Sequence, residues 1–305
     1  MSDAEDLIPK SDLPTRFAAG VLMIGVALVA TLLGGWAFRA LVAVAAAVMI
    51  VEWSDMKGIG RRWAYAAAAL LAVALMIGIE YYFPNGAPSL DDESYLVIDA
   101  EDFLMALWAL GGLAVLGVVL GGASRRVSLG WGVLYIGAPA FALMVLSWTY
   151  AALVIWVFAV TWATDIFAYF AGRSIGGPKL APRISPNKTW AGLIGGIAGA
   201  GAFGWLVAWY FELGTPFLWI GAAMGVVAQA GDLYESWEKR RAGVKDSGGL
   251  LPGHGGVLDR LDGLLAVAIV TLAILCADLW QPPMPDDLEA PDTVMVLRAM
   301  ADRAA

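Results

Sequence analysis

Nine long apolar runs constrain this chain more than any other feature of its sequence. A helix needs roughly 20 predominantly apolar residues to cross a hydrocarbon core about 30 Å thick. Runs near this length cover 17–34, 36–53, 63–83, 103–121, 129–149, 151–171, 191–211, 216–231 and 264–280. The chain is 60% hydrophobic, far above a soluble average. We therefore predict an all-α fold, a polytopic membrane bundle of about nine transmembrane helices.

The charges between these runs predict their orientation. Lys and Arg concentrate in every second connection, whereas the connection at 84–102 holds six acids and no base. Because cytosolic loops carry the excess of Lys and Arg, we predict a cytosolic tail at 1–16, a transmembrane domain at 17–280 and an extracytoplasmic tail at 281–305. The single cysteine, Cys276, excludes a disulfide within the chain.

A polar segment, 236–262, interrupts the apolar pattern with the letters SWEKRRAGVKDSGGLLPGHGGVLDRLD. It holds five basic residues, four acidic residues and the one histidine of a chain that is only 15% charged. Glycines let backbone N–H groups approach phosphate oxygens, Lys and Arg supply positive charge, and carboxylates suit a hard cation such as Mg²⁺. The segment therefore predicts nucleotide chemistry at a membrane surface.

Carboxylates with helical spacing occur at both ends of this segment. Asp232, Glu235 and Ser236 share one face with Lys239 if the eighth run continues as a helix, and Asp259 follows where the ninth helix begins. We predict that Asp232 and Asp259 hold Mg²⁺, which takes one or two protein carboxylates and completes its shell with phosphate oxygens and water. The alternative for each acid is a solvated helix end.

The basic residues and the histidine of the segment have competing interpretations. A cytosolic cluster at 239–241 also suits membrane anchoring, which we favour for Arg241. For Lys245, beside Asp246 in the glycine-rich turn, we favour phosphate binding. His254 is interpreted as a hydrogen-bond partner of substrate and not as a general base, because ionised phosphates need none.

A second candidate motif, SPNKTWAG at 185–192, overlaps the start of the seventh run. Ser185 or Asn187 can cap the helix, whose N-terminal N–H groups would face an anion, and Lys188 adds a positive charge there. The alternative is a helix cap followed by an ordinary cytosolic lysine.

Acids inside the apolar runs form a third group of candidate residues. Asp165 lies within the sixth run, and ionisable groups at such depth usually face a cavity or a partner. It is therefore a candidate site residue, whereas Glu52 and Glu80, near the ends of runs, are interpreted as interfacial.

These residues together resemble the phosphatidate cytidylyltransferases, also called CDP-diacylglycerol synthases. The family signature is matched at Ser236, Lys239-Arg240, Lys245-Asp246, Gly248, Pro252, His254-Gly255-Gly256, Asp259-Arg260 and Asp262. Glu238 stands where the family usually carries an apolar residue. The upstream SPNKTWAG resembles the family's Ser-Pro-x-Lys-Thr motif, with Ala191 where a glutamate is common. The detailed resemblance covers 161–263.

The resemblance implies the reaction of CTP with phosphatidate to give CDP-diacylglycerol and pyrophosphate, with Mg²⁺ as cofactor and a second, monovalent cation such as K⁺ left open. It implies a polar cavity that opens to the cytosol and sideways to lipid, in a bacterial-type inner membrane. We expect CTP, phosphatidate and membrane lipid as partners, no nucleic acid, and a homodimer as a further hypothesis. The implied catalytic residues are Lys239, Lys245, Asp246, Asp262 and Asp165. The implied substrate-binding residues are Ser185, Lys188, Thr189, Ser236, Arg240, His254, Gly255, Gly256 and Arg260.

Three other classes remain as alternatives. CTP-dependent polyprenol or phytol kinases are membrane proteins that transfer the γ-phosphoryl group and release CDP. CDP-alcohol phosphotransferases place Asp-Gly and Asp residues on a spacing that DRLDG at 259–263 does not satisfy. A secondary transporter could use Asp165 and interrupted helices, although the charged motifs here cluster at one face instead of the midplane.

Overall fold

The computed structural model describes residues 13–82, 100–249 and 255–279, and these form nine α-helices and one two-stranded hairpin. Their bounds are α1 (Leu13–Leu33), α2 (Gly35–Met56), α3 (Arg61–Tyr82), α4 (Ala100–Ser124), α5 (Val127–Thr149), α6 (Ala151–Ser174), β1 (Lys179–Ala181), β2 (Ser185–Thr189), α7 (Trp190–Tyr210), α8 (Thr215–Arg241) and α9 (Leu258–Leu279). In the described ranges, eight helices are long and apolar enough to cross a membrane, and α1 adds the shorter apolar segment Gly20–Leu33. The predicted polytopic helical membrane protein is confirmed. The predicted C-terminal tail, 281–305, lies outside the described residues.

Each predicted run coincides with a helix, and the largest differences in length are at α8 and α9. Helix α8 continues past 231 to Arg241, and α9 begins at Leu258 instead of 264. Hydropathy falls where charged residues enter, whereas the helical backbone continues because its hydrogen bonds do not depend on apolar side chains. The acids at 232, 259 and 262 are therefore helical residues, as their spacing predicted.

The β-hairpin before α7 was not predicted. Its strands are antiparallel, with Lys179 opposite Thr189 and Ala181 opposite Ser185. The predicted helix cap at Ser185 or Asn187 is wrong, because both residues belong to the second strand. Thr189 is the cap instead, and its Oγ1 accepts a hydrogen bond of 3.0 Å from the backbone N–H of Gly192.

Small residues bring the helices of the C-terminal half into close contact. A Cβ atom on Gly221 would lie 2.8 Å from the backbone oxygen of Ala200, and one on Gly225 would lie 2.8 Å from the Ala200 Cβ. Helix α5 is more buried than any other membrane-crossing helix of the described ranges and packs against α2, α3, α4, α6 and α9. This core holds α8 and α9 side by side.

Candidate active site

Three segments that carry the sequence motifs meet at one end of the bundle. The C-terminal turns of α8 contact the first turn of α9, where Lys239 Nζ lies 2.7 Å from Asp259 Oδ1. The hairpin is joined to α8, since Lys188 Nζ lies 2.6 Å from Asp232 Oδ2. Further along α8, Arg240 Nε donates a 3.2 Å hydrogen bond to the backbone oxygen of Ile184. The fold thus gathers residues from three separate stretches of sequence into one polar site.

Lys239 connects α8 to α9 through two carboxylates. Besides Asp259, its Nζ contacts Glu235 Oε2 at 2.6 Å, and Glu235 is fully buried. Buried charges are costly unless they are paired, so this lysine stabilises both acids. A single cation therefore bridges a carboxyl group of α8 and a carboxyl group of α9.

Asp259 also fixes the loop between the two helices. Its Oδ2 accepts hydrogen bonds from the backbone N–H groups of Ser247, at 2.9 Å, and Gly256, at 2.8 Å. Its Oδ1 accepts a further bond of 3.1 Å from the Ser247 N–H. One carboxylate therefore holds both described ends of the 247–256 loop as well as Lys239.

The loop closes this tightly because it contains glycine. Gly255 has a φ of +82°, which L side chains rarely adopt, and a Cβ atom there would lie 2.8 Å from Asp259 Oδ2. A Cβ atom on Gly256 would collide with the Ser247 hydroxyl. His254 lies outside the described residues, so its role in binding substrate stays a prediction.

The hairpin docks on α8 through Lys188. Its Nζ donates to Gln229 Oε1 at 3.0 Å as well as pairing with Asp232, and Ser236 Oγ donates to Asp232 Oδ1 at 3.3 Å. Gln229 is buried and was missed in the sequence, although an amide one turn before Asp232 in an apolar helix is a recognisable signal. Ser185 begins the same strand that carries Lys188.

Two further acids line the same region. Asp165, on α6, lies within a membrane-crossing helix, and its carboxylate interacts electrostatically with Asp232, Lys188 and Arg260. The carboxylate of Asp262, on α9, interacts electrostatically with those of Asp165, Asp232 and Glu235. Its Oδ1 accepts a 2.7 Å hydrogen bond from the backbone N–H of Gly263. Acids from α6, α8 and α9 thus converge on one polar region.

Other predicted site residues lie on the accessible surface of this end. Arg240, Lys245, Asp246 and Arg260 are all exposed. Arg241 is also exposed, and its guanidinium lies 4.6 Å from the Trp237 ring centroid, an arrangement that suits the anchoring role favoured for it. The exposed side chains of Arg240, Lys245 and Arg260 give this end of the bundle positive charge.

The prediction that Glu52 is interfacial is wrong. Its carboxylate is buried and accepts hydrogen bonds of 2.9 Å from the backbone N–H groups of Val257, through Oε1, and Leu258, through Oε2. A Cβ atom on Gly248 would lie 2.8 Å from Glu52 Oε1. Glu52 therefore caps α9 from α2 and packs against the glycine loop, a contact that local sequence gives no means of finding. Glu80 instead pairs with Arg39 at 2.7 Å and is half exposed.

The residue at the C-cap of α2 also contacts the family signature on α8. Lys57 forms an ion pair with Glu238, the residue that replaces an apolar one in the family signature. Glu238 is buried, and Tyr234 donates a 3.3 Å hydrogen bond to its Oε1. The unusual glutamate is therefore compensated by a cation from the N-terminal half of the chain.

The assembled residues suit the binding of phosphorylated ligands. Lysines, arginines and backbone N–H groups bind phosphate oxygens, and carboxylates bind the divalent cation that accompanies a nucleotide. Among the described residues, no group of three or more His, Cys, Asp and Glu side chains is arranged to hold a metal ion. A metal here would need oxygen ligands from substrate or water.

Comparison with known proteins assigns the family. The model of the cytidylyltransferase family matches residues 14–277. The phosphatidate cytidylyltransferase of Brucella suis is 38% identical over 285 residues, which cover 90% of this chain and 97% of that protein. The phosphatidate cytidylyltransferase of Pseudomonas aeruginosa is 37% identical over 246 residues, which cover 76% of this chain and 85% of that protein. Because the match includes both the motif-bearing half and the N-terminal helices, this chain belongs to the cytidylyltransferase family.

Proposed function

We propose that this membrane protein is a phosphatidate cytidylyltransferase, which transfers the cytidylyl group of CTP to phosphatidate and releases pyrophosphate. The observation that carries the proposal is the convergence of Lys188, Asp232, Lys239 and Asp259 in one polar site, in a chain similar along 90% of its length to an enzyme of that name. Lys239 and Asp259 belong to the family signature and Lys188 to the upstream motif, whereas Asp232 was predicted from its helical spacing.

The reaction needs positioning and charge compensation. A phosphate oxygen of the lipid forms a bond to the α-phosphorus of CTP, and the bond from that phosphorus to the bridging oxygen of pyrophosphate breaks. The phosphate monoester is largely ionised near pH 7, so no general base is required. In-line transfer of this kind is accelerated mainly by orientation and electrostatic stabilisation.

Substrate binding would replace carboxylate partners of the two lysines of the site with phosphate oxygens. Lys239 is held between Glu235 and Asp259, and Lys188 is held by Asp232. Phosphate oxygens would compete for both ammonium groups, and the exposed side chains of Arg240, Lys245 and Arg260 would add charge. Asp165, Asp246 and Asp262 would orient these cations. Ser185, Thr189, Ser236, His254 and the loop glycines would complete the substrate contacts.

The carboxylates fit Mg²⁺, with Asp232 and Asp259 as its proposed ligands. Both offer hard oxygen donors, and Mg²⁺ typically takes one or two protein carboxylates plus phosphate oxygens and water. The Asp259 oxygens bond Lys239 and two backbone N–H groups, so a metal there would displace the lysine. When bound, the ion would neutralise charge on the phosphates.

We further propose that the site faces the cytosol of a bacterial-type inner membrane. The basic residues Lys57, Arg61 and Arg62 follow α2, and Arg125 and Arg126 follow α4. Since α8 ends at the same side of an alternating bundle, the positive-inside rule supports a cytosolic site. A second, monovalent cation and a homodimer stay predictions.

Analysis of the products tests the proposal. Purified protein in detergent is given CTP, phosphatidate and Mg²⁺, and the released nucleotide and phosphate species are separated. The proposal predicts one pyrophosphate for each modified lipid and no CDP. Release of CDP with phosphate transferred to lipid would instead identify a CTP-dependent kinase.

A further inference from the structure

A groove lies beside the polar site, between α1, α2 and α9. Its cavity has a volume of about 420 Å³, within the range of about 300–1,000 Å³ typical of small-molecule sites. Of its lining residues, all but Arg260 are apolar. Two of them, Leu22 and Val44, are 67% and 61% exposed, so the groove opens towards the surroundings of the bundle, which is membrane for these helices.

Arg260 joins this groove to the polar site. It lines the cavity together with Leu261, Leu264 and Leu265 of α9, and it is also in electrostatic range of Asp165. The residue before it, Asp259, belongs to the polar site. A ligand with an anionic head and a long apolar tail could therefore place its head at Arg260 and its tail along the leucines.

We propose that the groove holds one acyl chain of the phosphatidate substrate, with the lipid phosphate on the side of Arg260. The inference rests on the proposed function and assigns the lipid subsite of the same reaction. A planar guanidinium binds a phosphate oxygen pair well, and the apolar lining excludes a polar or charged occupant. A groove that is apolar except for one cation matches an anionic lipid better than it matches a soluble ligand.

The groove contributes orientation more than affinity. Lipid tails are as apolar as leucine side chains, so moving an acyl chain from the bilayer into the groove gains little free energy. A chain held along α9 would instead limit the positions of the lipid phosphate relative to the α-phosphorus of CTP, which favours the reaction entropically. Filling the groove should therefore penalise long-chain substrates and spare short-chain ones.

Two alanines of the lining are suitable for filling it. Ala27 on α1 and Ala45 on α2 are half-buried and face the cavity. Two variants are tested, Ala27→Phe and Ala45→Phe, because either one is sufficient if the other fails to fold. Ala69→Phe is the matched control, because Ala69 is exposed on α3 and lies outside this lining.

The first readout is kcat/KM for phosphatidates with two 16-carbon or two 6-carbon chains, at saturating CTP. Both groove variants should lower the value for the long-chain lipid about tenfold and leave the short-chain value and the KM for CTP within about twofold. Ala69→Phe should change neither. Equal losses for both lipids, or no loss for either, would overturn the proposal.

The second readout does not require turnover. Phosphatidate with a diazirine in one acyl chain is photolysed on the unmodified protein, and labelled peptides are mapped. Labelling should fall on 22–49 and 257–265 and be competed by phosphatidate but not by phosphatidylcholine. Labelling elsewhere, or equal competition by both lipids, would show a bulk-lipid contact and contradict the proposal. Protein that is labelled in the groove but forms no cytidylylated lipid would refute the proposed function and leave the lipid site standing.

Discussion

Glu52 Oε2 accepts a 2.9 Å hydrogen bond from the backbone N–H of Leu258, which lies 206 residues later in the chain. The bond joins the end of α2 to the first residue of α9, and Oε1 binds the preceding N–H of Val257 at the same distance. A carboxylate at a helix N-terminus is stabilised by the helix dipole. The N-terminal half of the protein thereby positions the helix that carries Asp259 and Asp262.

The first prediction concerns Glu52→Gln. The variant replaces one of the two accepting oxygens with an amide NH₂ group, leaving a buried backbone N–H without its acceptor. We expect a loss of about 1–3 kcal/mol in the free energy of unfolding and a fall in kcat/KM of at least about tenfold, measured by thermal unfolding in detergent and by lipid product formation. Glu212→Gln, at an exposed position in the α7–α8 connection, is the control and should behave as unmodified protein. An active, fully stable Glu52→Gln protein would show that this cap does not position the site.

The second prediction concerns Lys239→Met. Removing the cation leaves Glu235 and Asp259 with uncompensated buried charge, which typically costs about 3–5 kcal/mol, and activity should be abolished. Arg241→Ala, which removes an exposed cation 3.9 Å from Glu238, should cost less than about 1 kcal/mol and retain activity.

A double variant separates the two effects of Lys239. Lys239→Met with Glu235→Gln restores the charge balance and should recover part of the lost stability, as followed by thermal unfolding, without recovering turnover. Recovery of turnover as well would mean that Lys239 serves only the folding of the α8–α9 junction.

The third prediction concerns Gly256→Ala. The added methyl group would collide with the Ser247 hydroxyl and lie 2.7 Å from Glu52 Oε2, so the loop that Asp259 holds must shift. Overpacking of this kind typically costs about 1–3 kcal/mol, and activity should fall with it. Gly122→Ala is the matched control, since a Cβ atom on that α4 glycine meets no atom within 4 Å. Equal behaviour of the two variants in unfolding and activity assays would contradict the close packing of the loop.

The fourth prediction concerns the metal. Removal of divalent cations with a chelator should abolish activity, and added Mg²⁺ should restore it. Asp232→Asn should raise the Mg²⁺ concentration needed for half-maximal activity about tenfold or more, because it removes a charged ligand. An unchanged Mg²⁺ dependence in that variant would remove Asp232 from the proposed ligand pair.

The helices of this protein could be predicted from its sequence because hydropathy alone defines membrane-crossing segments. The spacing of Asp232, Glu235 and Lys239 also predicted their shared helix face, which the Lys239 contacts confirm for Glu235. Hydropathy could not locate the end of α8 or the start of α9, because charged residues continue these helices beyond the apolar region.

Contacts between distant segments could not be predicted. Glu52 and Lys57 bind residues 181 to 206 positions away, and nothing in the local sequence around α2 indicates a polar partner. The hairpin at 179–189 was missed for a related reason: its short strands carry no alternation of apolar and polar residues and are defined by pairing with each other.

The most direct measurement of the central claim uses CTP labelled on the α-phosphorus. The purified protein is incubated with this CTP, phosphatidate and Mg²⁺, and the lipid is extracted. We predict label in the lipid phase, lost in Asp259→Asn, reduced in Asp232→Asn at the same Mg²⁺ concentration, and retained in Arg241→Ala. Label that stays in the aqueous phase as CDP or unreacted CTP, with folded protein, would contradict cytidylyl transfer.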